Sequence, residues 1–399
     1  MKYPLFVIMI LFAAVPGIFA LDYGVLVREE FEAEAPGGET DLSSKTTAAP
    51  WFSLPLGSRG DLSFSAGISA DWRQETTQYI PELFRLELSL RPLSPLAIRA
   101  GRISYEDPSL FTAKGYFDGV SAAADIGSVR LSGGLYYTGL LHRDRANVKA
   151  SPGDPVNYEA ELDYGDFSGT YFAPRRFLGA LQSEFPGFIT PRGTLHAGVL
   201  AQFDFSDAPD KVNSQYLLFR YVVNPPGGFD ISLAGAVELI EIAGDTSGAF
   251  ASSLEAGWAP PTALSDRVSA GFRWASGTGS STAAYFPVVS EAQGHILKPD
   301  FSGIMTLRGG YQARFLPSLS AELGMGYFLR TDSSAFSSPD LEGDSYFLGG
   351  EVFASALWVP LADISLTLGG GAFFPQTGAA FRDGAPVRWL FSLGTIFSF

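Results

Sequence analysis

From about residue 22 onward, apolar and polar residues alternate in short segments, and the connections between these segments alternate as well. Successive side chains of a strand point to opposite faces. Each segment is therefore read as a strand with one greasy and one polar face. Eighteen can be followed, among them 22–33, 45–54, 61–74, 82–91, 95–105, 115–125, 128–142 and 248–259. One set of connections is short and rich in Pro and Gly, as in Pro92-Leu-Ser-Pro95, Ile126-Gly-Ser128, Asn224-Pro-Pro-Gly-Gly228 and Leu316-Pro-Ser318. The other set is mostly longer and polar: 34–44, 75–81, 106–114, 143–173, 207–212, 243–247, 277–300, 332–344 and 375–385. Strict alternation places the short turns and both termini at one rim and the loops at the other. A sandwich or a β-helix does not explain that order. An all-β, antiparallel transmembrane barrel of about eighteen strands does, with sixteen as the alternative.

After residue 20 no apolar run is long enough for a membrane helix, so a membrane span requires a closed barrel. The final segment fits one. Trp389, Phe391, Leu393, Thr395, Phe397 and Phe399 share one parity, while Ser392, Gly394 and Ser398 fall on the other. An aromatic face of this kind belongs against lipid. The segment resembles the C-terminal strand of bacterial outer-membrane proteins. That resemblance implies an outer-membrane location, outer-membrane lipid as surroundings, and Trp389, Phe391, Phe397 and Phe399 as the signal read by the barrel-assembly machinery. At the other end, one basic residue, an apolar stretch and a Pro-Gly break ahead of Ala20 read as a secretory signal peptide over 1–20, leaving 21–399 as the barrel. The absence of cysteine excludes disulfides and a lipoprotein anchor.

The net charge of -15 argues against nucleic acid as a partner. Of 27 basic residues only six are lysines, and the arginines fall mostly inside strands. Parity places Leu62, Phe64, Ile68, Phe84, Leu86, Leu88 and Leu90 against lipid. It places Arg73, Arg85, Glu87, Arg130, Arg220, Arg273, Arg308, Arg314, Arg330 and Arg388 in the lumen. Arg99 and Arg102 differ in parity, which predicts a rim or a bulge near Gly101. A wide barrel with a polar interior is a water-filled channel, and arginines on its wall favour anions. The competing expectation is that the arginines pair with lumen acids and stiffen the wall.

Ile98-Arg-Ala-Gly-Arg102, Phe117-Asp-Gly-Val120, Gly133-Gly-Leu-Tyr-Tyr137 and Gly369-Gly-Gly-Ala-Phe-Phe-Pro375 together resemble the alginate-export family of substrate-specific porins. The matched residues cover about a tenth of the chain. The resemblance implies eighteen strands, an arginine-rich anion-selective lumen, and Arg102 and Asp118 at the channel wall, the arginine touching an anionic solute. A counterpart of that family's long periplasmic turn is missing.

Catalysis finds little footing. His142, His196 and His295 lie in separate segments outside any nucleophile motif. No metal-ligand spacing occurs, and the acidic run Glu29–Glu34 reads as solvated rather than as a calcium site. No cofactor is expected. Loop 143–173 is long enough to be functional and is read either as a lumen constriction or as an outer surface loop. The leading function is passive diffusion of small hydrophilic, anionic solutes through a monomer or trimer. The alternatives are a hydrophobic-solute transporter, which needs an apolar lumen and a plug, and a non-conducting barrel acting as adhesin or anchor.

Overall fold

In the computed structural model, residues 21–36, 38–73, 76–151, 154, 156–158, 160–206, 210–279, 282–332, 336, 340–377 and 379–399 are described. The expected signal peptide, 1–20, lies outside them. The strands are β1 (Asp22–Ala35), β2 (Asp41–Pro55), β3 (Gly60–Arg73), β4 (Thr76–Leu93), β5 (Leu96–Glu106) and β6 (Lys114–Ile126). They continue with β7 (Val129–Tyr137), β8 (Arg176–Pro186), β9 (Gly193–Asp204), β10 (Val212–Val223), β11 (Phe229–Ile242) and β12 (Asp245–Trp258). The last six are β13 (Arg267–Ala275), β14 (Ile304–Leu316), β15 (Leu319–Arg330), β16 (Phe347–Leu361), β17 (Ile364–Pro375) and β18 (Arg388–Ser398). Two short helices, α1 (Arg143–Ala146) and α2 (Phe167–Tyr171), lie between β7 and β8.

Each strand pairs antiparallel with the next, and β18 returns to β1 from Leu26↔Ser398 to Ala35↔Trp389. The result is a closed eighteen-stranded barrel. Phe399 completes the closure, because its N–H and C=O both bond to Val25 at 3.0 Å. The predicted greasy parity faces outward: Leu217, Leu233, Leu254, Leu307, Leu323, Leu368 and Phe391 are all exposed. Aromatics mark the turn-side edge of this belt, with Phe229 stacked on Trp258 at 5.9 Å. Trp72, Trp274 and Trp389 share the lipid-facing register near the loop side. Such girdles suit the two membrane interfaces.

Of the boundaries that differ from the sequence reading, three change the wall most. Residues 76–81 are strand, not loop. Pro81 lies there because the upper part of β4 is a free edge on the β5 side, where a missing N–H costs no ladder bond. β7 stops at Tyr137 rather than 142, because Thr138 turns its hydroxyl to Pro174 O and to the N–H of Arg176. The connection 243–247 shrinks to a turn at Ala243 (φ 53°) and Gly244 (φ 92°), with Asp245 already in β12. Two successive residues at positive φ match the twist of the flanking strands. Phe84 needs a different face from the one expected. The β3–β4 register slips between Ser65 and Ala66, and the Arg145 guanidinium lies 4.6 Å from the Phe84 ring, on the lumen side.

The β5–β6 hairpin leaves the wall and folds into the lumen. Its hinge is Gly101 at φ 108°, where an added Cβ would lie 2.0 Å from Leu86 O. Only glycine tolerates both the conformation and the contact. The tip rests on the wall two and three strands further on: Gln182 of β8 donates to Glu106 O at 3.2 Å, and Pro108 rests against Gly198 of β9. Asp107 shapes the tip by accepting from the N–H groups of Ser109, Thr112 and Ala113 at 2.7, 3.0 and 2.8 Å. Burial nevertheless pushes its carboxyl above the usual range. Opposite, the segment between β13 and β14 enters the lumen and meets it. Thr112 shares a 2.7 Å hydrogen bond with Tyr285, and the Phe111 and Phe301 rings pack edge-on at 5.0 Å. Val148, Leu141 and Phe381 from other loops join this core, which rests on the inward Leu178, Leu200, Leu218 and Ala236 of the wall. The loop-side half of the lumen is thus filled by a packed interior, held by the same apolar burial that folds soluble domains.

Candidate functional site

The lumen face carries the expected arginines, but its carboxylates nearly match them. Glu30, Glu32, Asp71, Glu82, Glu184, Glu255 and Glu351 share that face by register. The competing expectation, that lumen arginines meet lumen acids, therefore has the partners it needs. Glu29–Glu34 is not a cluster, since alternate residues of β1 point to opposite faces.

Most of the predicted arginines tie loops or neighbouring strands to the wall. Arg273 bridges Glu255 on β12 at 3.2 Å and Glu291 of the inward segment at 3.1 Å. Arg308 donates to Gln293 O at 2.6 Å. Arg330 bonds to Gly343 O at 2.7 Å and to Ser345 O. Arg388 reaches Asp340 at 3.3 Å and lies over the Phe381 ring. Near the loop rim Arg73 forks onto Asp71 at 3.1 Å. Arg85 is held by Glu87 at 2.8 Å, and Glu87 is almost wholly buried. Arg220 lies in a cross-strand row with His196 and Glu184. Arg314 is exposed near the Leu316–Leu319 turn.

Arg102 and Asp118 form a bidentate pair at 3.0 and 2.7 Å. Arg102 also donates to Leu83 O at 2.5 Å and to Leu140 O at 2.9 Å. Four of its five N–H groups are committed, and the residue is buried. It pins the inward bend to β4 and to the loop after β7. The solute contact implied by the family resemblance does not fit that geometry.

A different group opens onto water. Beneath the inward hairpin, on the turn side, lies a cavity of about 940 Å³. Its wall holds five basic residues, Arg59, Arg91, Arg99, Lys114 and Arg130, against two acidic ones, Asp61 and Glu106. Lys114 pairs with Glu106 at 3.2 Å, both exposed, while the arginines are more loosely held. Arg99 stands 3.9 Å from Glu87, and Arg130 stands 3.9 Å from Asp125 with both side chains more than half exposed. Arg99 instead donates to the Ser104 hydroxyl and carbonyl at 3.3 and 3.2 Å. Ser121, Ser132, Tyr136 and Gln182 complete a polar lining. Sequence reading found Arg99 and Arg130 but missed Arg59 and Lys114. Both lie in or beside connections, and only the inward fold carries Lys114 to the cavity.

The histidines stay apart. His142 is buried against the Tyr171 ring at 4.9 Å, and burial lowers its pKa to about 4. His295 stacks on Phe353 at 4.1 Å. Among the described residues, no group of three or more His, Cys, Asp or Glu is placed to hold a metal.

No protein-family model matches the chain, and no curated protein matches it in sequence. Solved structures do. Pseudomonas aeruginosa OpdQ is 10% identical with a TM-score of 0.62, over 96% of this chain and 99% of that one. Pseudomonas aeruginosa OccK2 (OpdF) gives 12% and 0.61, over 95% and 98%. The outer membrane protein OprD of the same organism gives 12% and 0.60, over 97% and 95%. This chain therefore shares its porin-like barrel fold with bacterial outer-membrane proteins, and its apolar outer wall fits the same location. The alginate-export resemblance gains nothing from these three.

Proposed function

We propose that the protein is a passive outer-membrane channel for small hydrophilic solutes, and that anionic solutes are preferred. One observation carries the preference: the turn-side cavity sets five basic side chains against two acids, and the arginines there are loosely paired. In a narrow lumen with low-dielectric walls such an imbalance concentrates anions. The arginines that pin loops contribute little to selection, because their guanidinium N–H groups are already bonded to protein carboxylates and carbonyls. An alginate-type substrate is not part of this proposal. Assembly through the Trp389–Phe399 strand by the barrel-assembly machinery is part of it, supported by the role of Phe399 in closing the barrel.

Conductance of the refolded chain in a planar bilayer under a salt gradient tests the reading. Steady steps with an anion-selective reversal potential are expected. Arg99→Gln with Arg130→Gln should move that potential toward cations. The packed loop core favours a second reading, a non-conducting barrel that presents its loops. Absence of current from folded protein would select it.

A further inference from the structure

The barrel wall is not continuous. β4 and β5 pair from Leu93↔Leu96 up to Leu86↔Arg102 and then part. β4 climbs through 76–85 beside β3, while β5 turns inward at Gly101. The upper edge of β4 has therefore lost its strand partner. The break starts beside Leu86, which faces lipid, and rises past Tyr79 and Trp72 at the loop-side girdle.

A loop segment, 160–172, runs along this edge in place of a strand. Its contacts to β4 are made through side chains. Tyr164 Oη donates to Tyr79 O, and Tyr171 Oη donates to Pro81 O at 2.7 Å. The Leu162 N–H reaches the Gln78 side chain at 3.1 Å, and the Thr76 hydroxyl reaches Glu161 at 3.3 Å. Arg102 takes the next carbonyl, Leu83 O. Among the described residues, no main-chain hydrogen bond joins 160–172 to β4. Every other seam of the barrel is a main-chain ladder. A ladder opens only by losing many bonds together, whereas this seam rests on a few separable ones.

The gap is also chemically two-sided. Tyr79 lies on the lipid-facing parity of β4, and Tyr79, Leu140 and Tyr164 are 60, 55 and 62% exposed. On the lumen side Arg145 meets Glu82 beside His142. We propose that this gap is a lateral portal between the lumen and the outer leaflet, and that segment 160–172 is its latch. The solutes that fit are amphiphiles, with a polar head for the lumen side and an apolar part for the bilayer. The inference requires that the barrel spans a bilayer. It does not depend on anion selectivity, so a failure of one leaves the other standing.

The chain has no cysteine, so a single reporter thiol can be placed behind the latch. Ile80→Cys serves, since Ile80 is buried on the lumen side of the free strand. Ser69→Cys, its register partner on β3, is the second reporter should the first fail to fold. Each is labelled in lipid vesicles with an alkyl maleimide dissolved in the bilayer, and separately with a charged thiosulfonate in the water. Tyr164→Phe with Tyr171→Phe removes two latch donors and keeps the rings. Loss of two ordinary hydrogen bonds should raise alkyl labelling about tenfold and leave charged labelling within about twofold. Unchanged alkyl labelling would overturn the portal. So would an equal rise with both reagents, which would mean that the loop core had loosened toward water instead.

Discussion

The two halves of the lumen are built on different physics. The loop-side half is a protein interior, with aromatic rings, buried alanines and leucines, and charges neutralised at contact distance. The turn-side half is an open basin in which Arg99 and Arg130 stand 3.9 Å from their nearest carboxylates and only Lys114 meets one closely, Glu106 at 3.2 Å. Arginine serves both, and the difference lies in its neighbours. Where a loop supplies a carboxylate or a carbonyl, the guanidinium becomes a tie. Where only wall and water face it, the charge remains available to a solute. An arginine count along the sequence therefore does not measure selectivity.

Substitutions can separate the halves. The largest effect is expected at Arg176, which is fully buried between Asp154 at 2.9 Å and Asp204 at 2.6 Å. Arg176→Ala strands two buried carboxylates and should cost about 3–5 kcal/mol. Protease cutting of the 143–173 loop in the folded barrel reads it, and wild-type resistance would break the picture of a packed outer half.

Next comes pH. The buried His142 holds a proton only below about pH 4, whereas an unfolded histidine does so below its ordinary 6.5. The unlocked loop thus binds more protons between those values. Stability from burying the neutral ring is complete above about pH 6.5 and declines as pH falls toward 4. The loss is on the order of 3 kcal/mol. Amide protection over 143–151 and 160–171, corrected for the pH dependence of intrinsic exchange, should be lower at pH 5 than at pH 7, and His142→Phe should abolish that difference.

Arg102→Gln should follow, at about 2–3 kcal/mol for the lost charge-assisted bonds. It should free the β5–β6 bend and raise channel noise rather than change ion preference. A clean shift of reversal potential would return Arg102 to the solute path. The smallest effect on stability belongs to Arg99→Gln with Arg130→Gln, within about 0.5 kcal/mol as for exposed pairs. Its signature should be electrical. Equal thermal unfolding with altered selectivity would sharpen the contrast, whereas altered unfolding with equal selectivity would reverse it.

Much of the architecture was legible because its signals are local. Period-two alternation set the lipid face from Leu62 to Phe399, and turn composition separated the two rims. The parity conflict between Arg99 and Arg102 already marked the bend at Gly101. The misreadings share a cause. Residues 76–81 looked like a loop because Pro81 argues against a central strand, and nothing nearby discloses that β4 has a free edge there. Phe84 changed face through a one-residue slip that alternation cannot register.

The sequence by itself determined a closed antiparallel wall of about eighteen strands with an apolar outside, since each strand's pattern and each turn's chemistry act over a few residues; the structure chose eighteen over sixteen. Only the tertiary structure decided which arginines are ties and which face water, that a hairpin folds into the lumen, and that one seam is latched by tyrosines. Those outcomes depend on partners such as Thr112 and Tyr285, 173 residues apart. Contacts of that span are chosen by three-dimensional packing and charge pairing, which leave no periodic trace along the chain.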